Sequence, residues 1–160
     1  MGKSTEEAST ETPNYRKDSQ RRNLGNEMEI EFDFRKEQSG IFGAVDRPVA
    51  KVTLTNRGIS IPEIFYVDSG ADLTLVPRSI GEILKLDDPT GQETFDIKGI
   101  GEKGVPIVLR PVRMQIGNFQ FQARIGWALS EDIPMLLGRE EIFPLFDILF
   151  SKNRKTIFRK

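Results

Sequence analysis

Apolar and polar residues alternate along much of the chain, and this pattern is typical of half-buried strands. The segment MEIEFDF, residues 28–34, alternates apolar with acidic side chains, and PVAKVTLTN, residues 48–56, repeats the alternation. Because side chains on a strand point to opposite faces in turn, a period of two predicts strands with one face in a core. A further strand is predicted in EIFYVD, residues 63–68.

Turn residues predict that the later strands form hairpins. One hairpin is predicted at residues 94–109, with a glycine-rich tip, and a second at residues 112–125, turning at Gly117–Asn118. A last strand is predicted at Thr156–Arg159. No internal repeat of fixed period interrupts this succession of short strands.

Helical spacing is confined to two places. RSIGEILKL, residues 78–86, places its apolar residues on one face, and Pro77 suits the start of a helix. A second, short helix is predicted after Gly138. Many short strands with so little helix predict a mostly-β barrel or sandwich.

The first 27 residues differ from the rest of the chain. They are polar and nearly free of large apolar side chains, so we predict a disordered tail at 1–27 and one folded domain at 28–160. A chain of 160 residues fits that division. The N-terminus has no apolar signal-peptide core, and no apolar run is long enough to cross a bilayer, so we expect a cytoplasmic protein without a membrane partner.

The charge and composition of the chain exclude several classes of partner and of catalytic site. The formal net charge is -1, which gives no field to select nucleic acid. The last ten residues carry several Lys and Arg, which could touch an acidic partner, but we favour an exposed edge strand that charge protects from aggregation. The chain has no Cys and no His, which excludes disulfides, thiolate metal sites and Ser-His or Cys-His catalysis.

The apolar strand before Asp68 ends abruptly in Asp-Ser-Gly. One interpretation is a plain strand-to-turn junction, and the other is a carboxylate placed at a strand tip for chemistry. The Ser69 hydroxyl can donate a hydrogen bond, and Gly70 allows backbone N–H groups to come close. These residue types are the ones needed to hold one carboxylate in place.

Three segments together resemble one family. VDSGADLTLVPRSIGEIL, residues 67–84, resembles the catalytic segment of retropepsin-like aspartic peptidases, whose signature is apolar-Asp-(Thr/Ser)-Gly-Ala. IPMLLGREEIFPLFDILF, residues 133–150, resembles the family's apolar-apolar-Gly-Arg signature, and IKGIGEKGVP, residues 97–106, resembles its flap hairpin. The longer helix after the first segment is closer to the cellular and prokaryotic single-lobed members than to the viral ones.

The resemblance implies both a fold and an activity. The fold is mostly β, a closed β-barrel of the retropepsin-like acid protease type, with one short helix after the catalytic turn and a short C-terminal helix. The family uses two aspartates, whereas this chain has one Asp-Ser-Gly, so the resemblance implies a homodimer with Asp68 from each protomer. The implied function is an aspartic endopeptidase that hydrolyses a polypeptide substrate with an activated water, without metal, cofactor or covalent intermediate.

The resemblance also assigns residues to roles. The catalytic set is Asp68, Ser69 and Gly70; the substrate-binding set is Ala71, Asp72, Gly99, Ile100 and Gly101; and the bracing set is Gly138 and Arg139. Side-chain pockets are expected to be apolar, lined by residues such as Leu73, Leu75, Ile100, Ile107 and Ile133.

Two other interpretations stay open. The chain could be a non-catalytic dimeric module that binds peptides or proteins on the same fold, since one fold supports many functions. It could also be an unrelated β-barrel interaction domain in which the motif occurs by chance.

Overall fold

A computed structural model describes residues 28–88, 90–91, 93–98 and 104–160 of the chain. The tail predicted at 1–27 lies outside the described residues, as do Gly99, Ile100 and Gly101 of the predicted flap. Within the described ranges, no helix is both long and apolar enough to span a membrane.

The described residues form twelve strands and one helix. In chain order they are β1 (Glu29–Asp33), β2 (Arg35–Ser39), β3 (Gly43–Arg47), β4 (Val49–Asn56), β5 (Ile59–Val67), β6 (Leu75–Val76), α1 (Arg78–Ile83), β7 (Phe95–Ile97), β8 (Val105–Ile116), β9 (Phe119–Ala128), β10 (Leu136–Leu137), β11 (Asp147–Ser151) and β12 (Lys155–Arg159).

Six of these strands close into a barrel, in the order β4-β5-β10-β6-β9-β8, and the ring is completed by antiparallel pairing of β8 with β4. β7 extends the sheet beyond β8. The predicted hairpin turn at Gly117–Asn118 is confirmed, since Ile116 pairs with Phe119 on either side of it. The mostly-β closed barrel predicted from the sequence is therefore confirmed.

Every second side chain along the strands points inward, and these apolar side chains fill the barrel. On β4, Ala50, Val52 and Leu54 are buried, while Lys51 is exposed and Thr53 is half-buried. Phe65 on β5 is also fully buried. Burying an apolar side chain of this size contributes about 1.5–3 kcal/mol. The alternation in PVAKVTLTN therefore predicted correctly which face of β4 lies in the core.

A second sheet packs beside the barrel, in the order β1-β12-β11. The prediction of an exposed basic edge strand at the C-terminus is wrong, because β12 is the central strand. Its basic side chains pair with the acidic ones of β1: Arg159 Nε lies 2.6 Å from Glu29, and Lys155 Nζ lies 2.8 Å from Glu31 and 3.6 Å from Asp33. Cross-strand charge complementarity therefore joins the two ends of the described domain.

A hairpin of β2 and β3 was not predicted from the sequence. Within the part of the chain that the structure describes, these two strands pair only with each other. None of residues 35–47 is buried. The segment lacks a strict apolar alternation because neither of its faces enters the core.

Helix α1 follows β6 and is shorter than predicted. Pro77 precedes its first residue, and the helix ends at Ile83 rather than Leu86. Asn56 Nδ2 donates to the Leu84 carbonyl at 2.9 Å, which satisfies one of the free carbonyls at the helix end. Lys85 then takes a positive φ of 51° and turns the chain away.

The short C-terminal helix is not formed, and that part of the prediction is wrong. Residues 140–145 are successive turns. Glu141 has a φ of 66°, in the left-handed region that breaks a right-handed helix. Its carboxylate accepts hydrogen bonds from the Arg124 backbone N–H and from Arg124 Nε, the latter at 2.6 Å. These bonds to β9 hold Glu141 outside the helical conformation.

Candidate active site

Asp68 lies at the carboxyl end of β5, directly after buried Val67. β10 runs parallel to β5, with Leu137 opposite Val67. The Asp68 backbone N–H continues this ladder and donates to the Leu137 carbonyl at 3.1 Å. The strand pairing thus fixes the backbone that carries the Asp68 carboxylate.

A tight turn follows Asp68 and folds back on its side chain. The Gly70 N–H donates to Asp68 Oδ1 at 2.8 Å, and the Ala71 N–H donates to the Asp68 carbonyl at 3.2 Å. A Cβ at position 70 would lie 3.2 Å from Asp68 Oδ1, so a glycine lets the turn approach the carboxylate. Asp68 is half-buried, whereas Ser69 and Gly70 are exposed.

The segment after β10 holds the other side of this turn. The Arg139 N–H donates to the Ala71 carbonyl at 2.9 Å, and the Glu140 N–H donates to the Asp72 carbonyl at 2.8 Å. β10 itself lies between β5 and β6, the strands on either side of the Asp68 turn. The two segments singled out in the sequence therefore form one structural unit.

Thr74 and Gly138 form the buried centre of that unit. Thr74 is 2% exposed, and its Oγ1 accepts a hydrogen bond from the Gly138 N–H at 3.1 Å. A Cβ at position 138 would lie 2.4 Å from the Leu73 carbonyl carbon, so the backbones meet too closely for any other residue. Thr74 was missed in the sequence, although a hydroxyl between two leucines is the signal that marks it.

An ion pair between Arg139 and Asp72 lies on the outer side of the same turn. Both side chains are at least half exposed. The hydrogen bond to Asp72 is the main cause that raises the pKa of Arg139. The structure therefore brings these two predicted residues together, and their roles in bracing and substrate binding stay predictions.

Comparison with known proteins bears on this arrangement. No family model matches the chain, and no curated protein matches its sequence. A retropepsin-like aspartic protease from Rickettsia conorii superposes with a TM-score of 0.54 and 15% sequence identity, over 84% of this chain and 93% of that chain. The chain has the retropepsin-like fold. EIAV protease complexed with the inhibitor HBY-793 also matches, with a TM-score of 0.45 and 21% identity, over 68% of this chain and 94% of that one.

On this retropepsin-like fold, a cavity of about 500 Å³ opens beside Asp68. Its lining comes from three parts of the chain: the β2–β3 hairpin with the residue that follows it, the end of β5, and the segment around β10. The lining residues are Glu37, Arg47, Pro48, Tyr66, Val67, Asp68, Pro134 and Leu136. Sequence reasoning missed the contribution of Glu37 and Arg47, because no motif marks the hairpin.

A polar cluster connects the hairpin to the strand that carries Asp68. The Tyr66 hydroxyl donates to Glu37 Oε1, Arg35 Nε donates to the same oxygen at 2.7 Å, and Arg47 Nε lies 3.1 Å from Glu37 Oε2. The hydrogen bond from Tyr66, followed by that from Arg35, lowers the pKa of Glu37. The same bond to Glu37, with burial as a second cause, raises the pKa of Tyr66.

Four of the five predicted apolar pocket residues form a small interior cluster, and the fifth, Ile100, lies outside the described residues. Leu75 and Ile107 are buried in it with Ala128, and Leu73 and Ile133 pack against them. Leu75 and Ile107 thus serve as core in this structure.

The loop before β10 is tied to helix α1. Glu131 accepts hydrogen bonds from the Ser79 hydroxyl at 2.6 Å and from the Ser79 backbone N–H at 3.0 Å. The bond from the hydroxyl is the main cause that lowers the pKa of Glu131. Because Pro134 of this loop lines the cavity, the contact positions one wall of it. Within the described ranges, acidic side chains form no group of three or more that could hold a metal ion.

Proposed function

We propose that this protein is a homodimeric aspartic endopeptidase in which Asp68 of each protomer forms the catalytic pair. The observation that carries the proposal is the Asp68 turn, in which the carboxylate is hydrogen-bonded to Gly70 and its backbone to Leu137. This turn stands beside a cavity on the retropepsin-like fold, and the matching Rickettsia conorii structure is described as an aspartic protease.

A second protomer completes this site. The sequence contains one Asp-Ser-Gly, so a single chain supplies one of the two carboxylates. A two-fold axis beside Asp68 would bring the same residue from each protomer together, and two-fold dimers are the commonest homo-oligomers. The exposed Ser69 and Gly70 leave the turn accessible to such a partner.

The chemistry follows from two carboxyl groups at close range. Such a pair shares one proton, because both groups cannot ionise side by side. The ionised member takes a proton from a water, whose oxygen attacks the scissile carbonyl carbon, and the protonated member donates its proton to the carbonyl oxygen. Collapse of the resulting tetrahedral intermediate, with proton transfer to the amide nitrogen, breaks the C–N bond.

The neighbouring residues take supporting roles in this proposal. The Ser69 hydroxyl hydrogen-bonds within the carboxylate pair, and the Gly70 and Ala71 backbone faces the substrate. Asp72, held by Arg139, lines the rim, and Gly138 keeps the two segments in contact.

Substrate binds as an extended strand over this floor in the proposal. Gly99, Ile100 and Gly101 follow β7 along the chain, and we propose that they contact the substrate from the opposite side.

The test is cleavage of an unfolded protein by wild type, by Asp68→Asn and by Asp147→Asn, in which a surface carboxylate on β11 is replaced instead. Assays cover about pH 4 to 7, since a shared-proton pair acts on the acid side of neutrality. We expect wild type and Asp147→Asn to cleave and Asp68→Asn to be inactive while retaining the wild-type thermal unfolding midpoint.

Dependence on enzyme concentration tests the dimer. At low concentration, activity per mole of chain should rise with concentration, because dimers accumulate by mass action. Cleavage retained by Asp68→Asn would refute the proposal. Peptide binding without cleavage, equal in wild type and Asp68→Asn, would instead establish a binding module on this fold.

A further inference from the structure

Two large apolar side chains stand at the tip of the β2–β3 hairpin. Ile41 is 85% exposed and Phe42 is 79% exposed, more than any other large apolar residue in the described ranges. The tip is nevertheless an ordered turn: the Ser39 hydroxyl oxygen accepts from the Ile41 N–H at 3.3 Å and from the Phe42 N–H at 3.4 Å. Gly43, with a φ of 68°, closes the turn. The hairpin thus holds Ile41 and Phe42 out toward solvent.

The body of the hairpin is stabilised by little burial or strand pairing against the barrel of its own chain. None of residues 35–47 is buried, and in the described part of the chain β2 and β3 pair with no other strand. An isolated two-stranded hairpin is at best marginally stable in water. Apart from the cluster at Tyr66, its other polar side-chain contact with the domain among the described residues is a partly exposed ion pair, in which Arg154 Nη1 lies 2.7 Å from Asp46. The hairpin, residues 35–47 and called the arm from here on, therefore has few stabilising contacts within its own chain.

The base of this arm is fixed beside the proposed catalytic residue. Glu37 on β2 and Arg47 at the end of β3 line the same cavity as Asp68. Glu37 also accepts from the Tyr66 hydroxyl, two residues before Asp68 in the chain. A strand rises about 3.3 Å per residue, so the tip lies on the order of 10 Å beyond Glu37.

From this placement we propose that the Ile41–Phe42 tip docks on a second copy of this chain. The inference rests on the proposed function, which places a second copy across Asp68, next to the base of the arm. In a two-fold dimer the arm of each protomer reaches the other, so four apolar side chains lose their contact with water at once. The arm is then the part of the interface that contributes apolar burial, while Asp68 lies at its centre.

The first experiment measures dimer formation by sedimentation over a range of concentrations. The variants are Ile41→Ser/Phe42→Ser, the control Ile83→Ser on α1, and Asp68→Asn. Ile83 is also an exposed apolar residue, at 55%, but α1 packs on β9 rather than beside β5. We expect the double variant to raise the dimer dissociation constant by at least about tenfold, and the other two to leave it within about twofold of wild type.

The second experiment follows the tip directly. Because the chain has no Cys, Phe42→Cys and Ile83→Cys each provide a single site for an environment-sensitive fluorophore. The emission of the label at position 42 should shift to shorter wavelength over the concentration range in which sedimentation shows monomers becoming dimers. The label at position 83 should not shift.

The outcomes separate this inference from the proposed activity. An unchanged dissociation constant in the double variant, or a label at position 42 that stays in water while dimers form, would overturn the docking surface even if cleavage is observed. A wild type that is monomeric at every concentration would overturn it too. Loss of dimers in the double variant, with wild-type thermal unfolding and no cleavage by wild type at concentrations where it is dimeric, would support the surface and refute the protease.

Discussion

The Thr74 hydroxyl accepts a hydrogen bond from the Gly138 backbone N–H at 3.1 Å, in the buried joint between the Asp68 turn and the segment after β10. Neither group reaches water, so each depends on the other for its hydrogen bond. The joint holds in place the turn that carries the proposed catalytic residue.

Replacing Thr74 tests this joint. Thr74→Val keeps the shape but leaves the Gly138 N–H buried without an acceptor, which costs about 1–3 kcal/mol of the free energy of unfolding. Urea unfolding measures the loss. Thr74→Ser retains the hydroxyl and is the matched control, expected to lose less than the valine variant. Equal losses in the two variants would show that the methyl group, not the hydrogen bond, matters.

Gly138 is predicted to tolerate no side chain. In Gly138→Ala the new Cβ would meet the Leu73 backbone at 2.4 Å, and backbone cannot rotate aside, so we expect a loss of about 3 kcal/mol. Gly40→Ala is the control, because nothing lies within 4 Å of its Cβ. That variant should be as stable as wild type, or more stable by under about 1 kcal/mol. Similar thermal unfolding of the two variants would contradict the prediction.

Glu131 should make the loop before β10 sensitive to acid. Its pKa is lowered below the usual 4.5 by the Ser79 hydroxyl and then the Ser79 N–H, so the folded state favours the ionised carboxylate. The resulting stabilisation is complete above pH 4.5 and is lost as the pH falls through the lower, folded-state pKa. Glu131→Gln should therefore lose less free energy of unfolding than wild type when acidified through this range.

Ser79→Ala provides a graded control for the acid sensitivity of Glu131. It removes the stronger of the two donors and leaves the backbone N–H, so its pH dependence should fall between those of wild type and Glu131→Gln. Identical pH dependence in all three proteins would rule out the contact as its source.

Tyr66 should ionise at higher pH than an ordinary tyrosine. Its hydrogen bond to Glu37 raises its pKa above the usual 10.0 and favours the neutral phenol in the folded state. That stabilisation is present below pH 10.0 and is lost as the pH rises through the folded-state pKa. The chain has two tyrosines, so the ultraviolet titration of wild type minus that of Tyr66→Phe isolates this residue.

Glu37→Gln is the matched variant for the Tyr66 titration. It removes the charged acceptor that is the main cause of the shift, so the pKa of Tyr66 should return toward 10.0. If the glutamine variant titrated like wild type, the cluster between the hairpin and β5 would not exist in solution.

The sequence predicted the elements whose pattern comes from burial on one face. β4 was located because Val52, Leu54 and their neighbours alternate in and out of the barrel, and the hairpin was located by its turn residues Gly117–Asn118. The resemblance also paired the Asp68 turn with Gly138 and Arg139, and the structure places these residues in contact. Local pattern and motif were sufficient for β4, this hairpin and the contact between the two motif segments, but not for Thr74, Glu37 or Arg47.

Other features depend on partners distant in the sequence. Glu141 interrupts the expected C-terminal helix because Arg124 on β9 binds its carboxylate, and nothing near Glu141 in the chain indicates this. β12 is central because β1, at the other end of the described domain, pairs with its second edge and places acidic residues beside its basic ones. The β2–β3 hairpin has no buried face, so hydrophobic alternation could not reveal it.

The insertion of β10 between β5 and β6 also has a consequence for biosynthesis. The Asp68 turn is held by residues that leave the ribosome long after it, so a nascent chain that ends before Leu136 lacks the strand that orders the turn. Pairings between distant residues also slow folding, because a long loop must close before they form. An ordered Asp68 turn, and with it any activity that depends on Asp68, can therefore form only after β10 has been synthesised and has paired with β5 and β6.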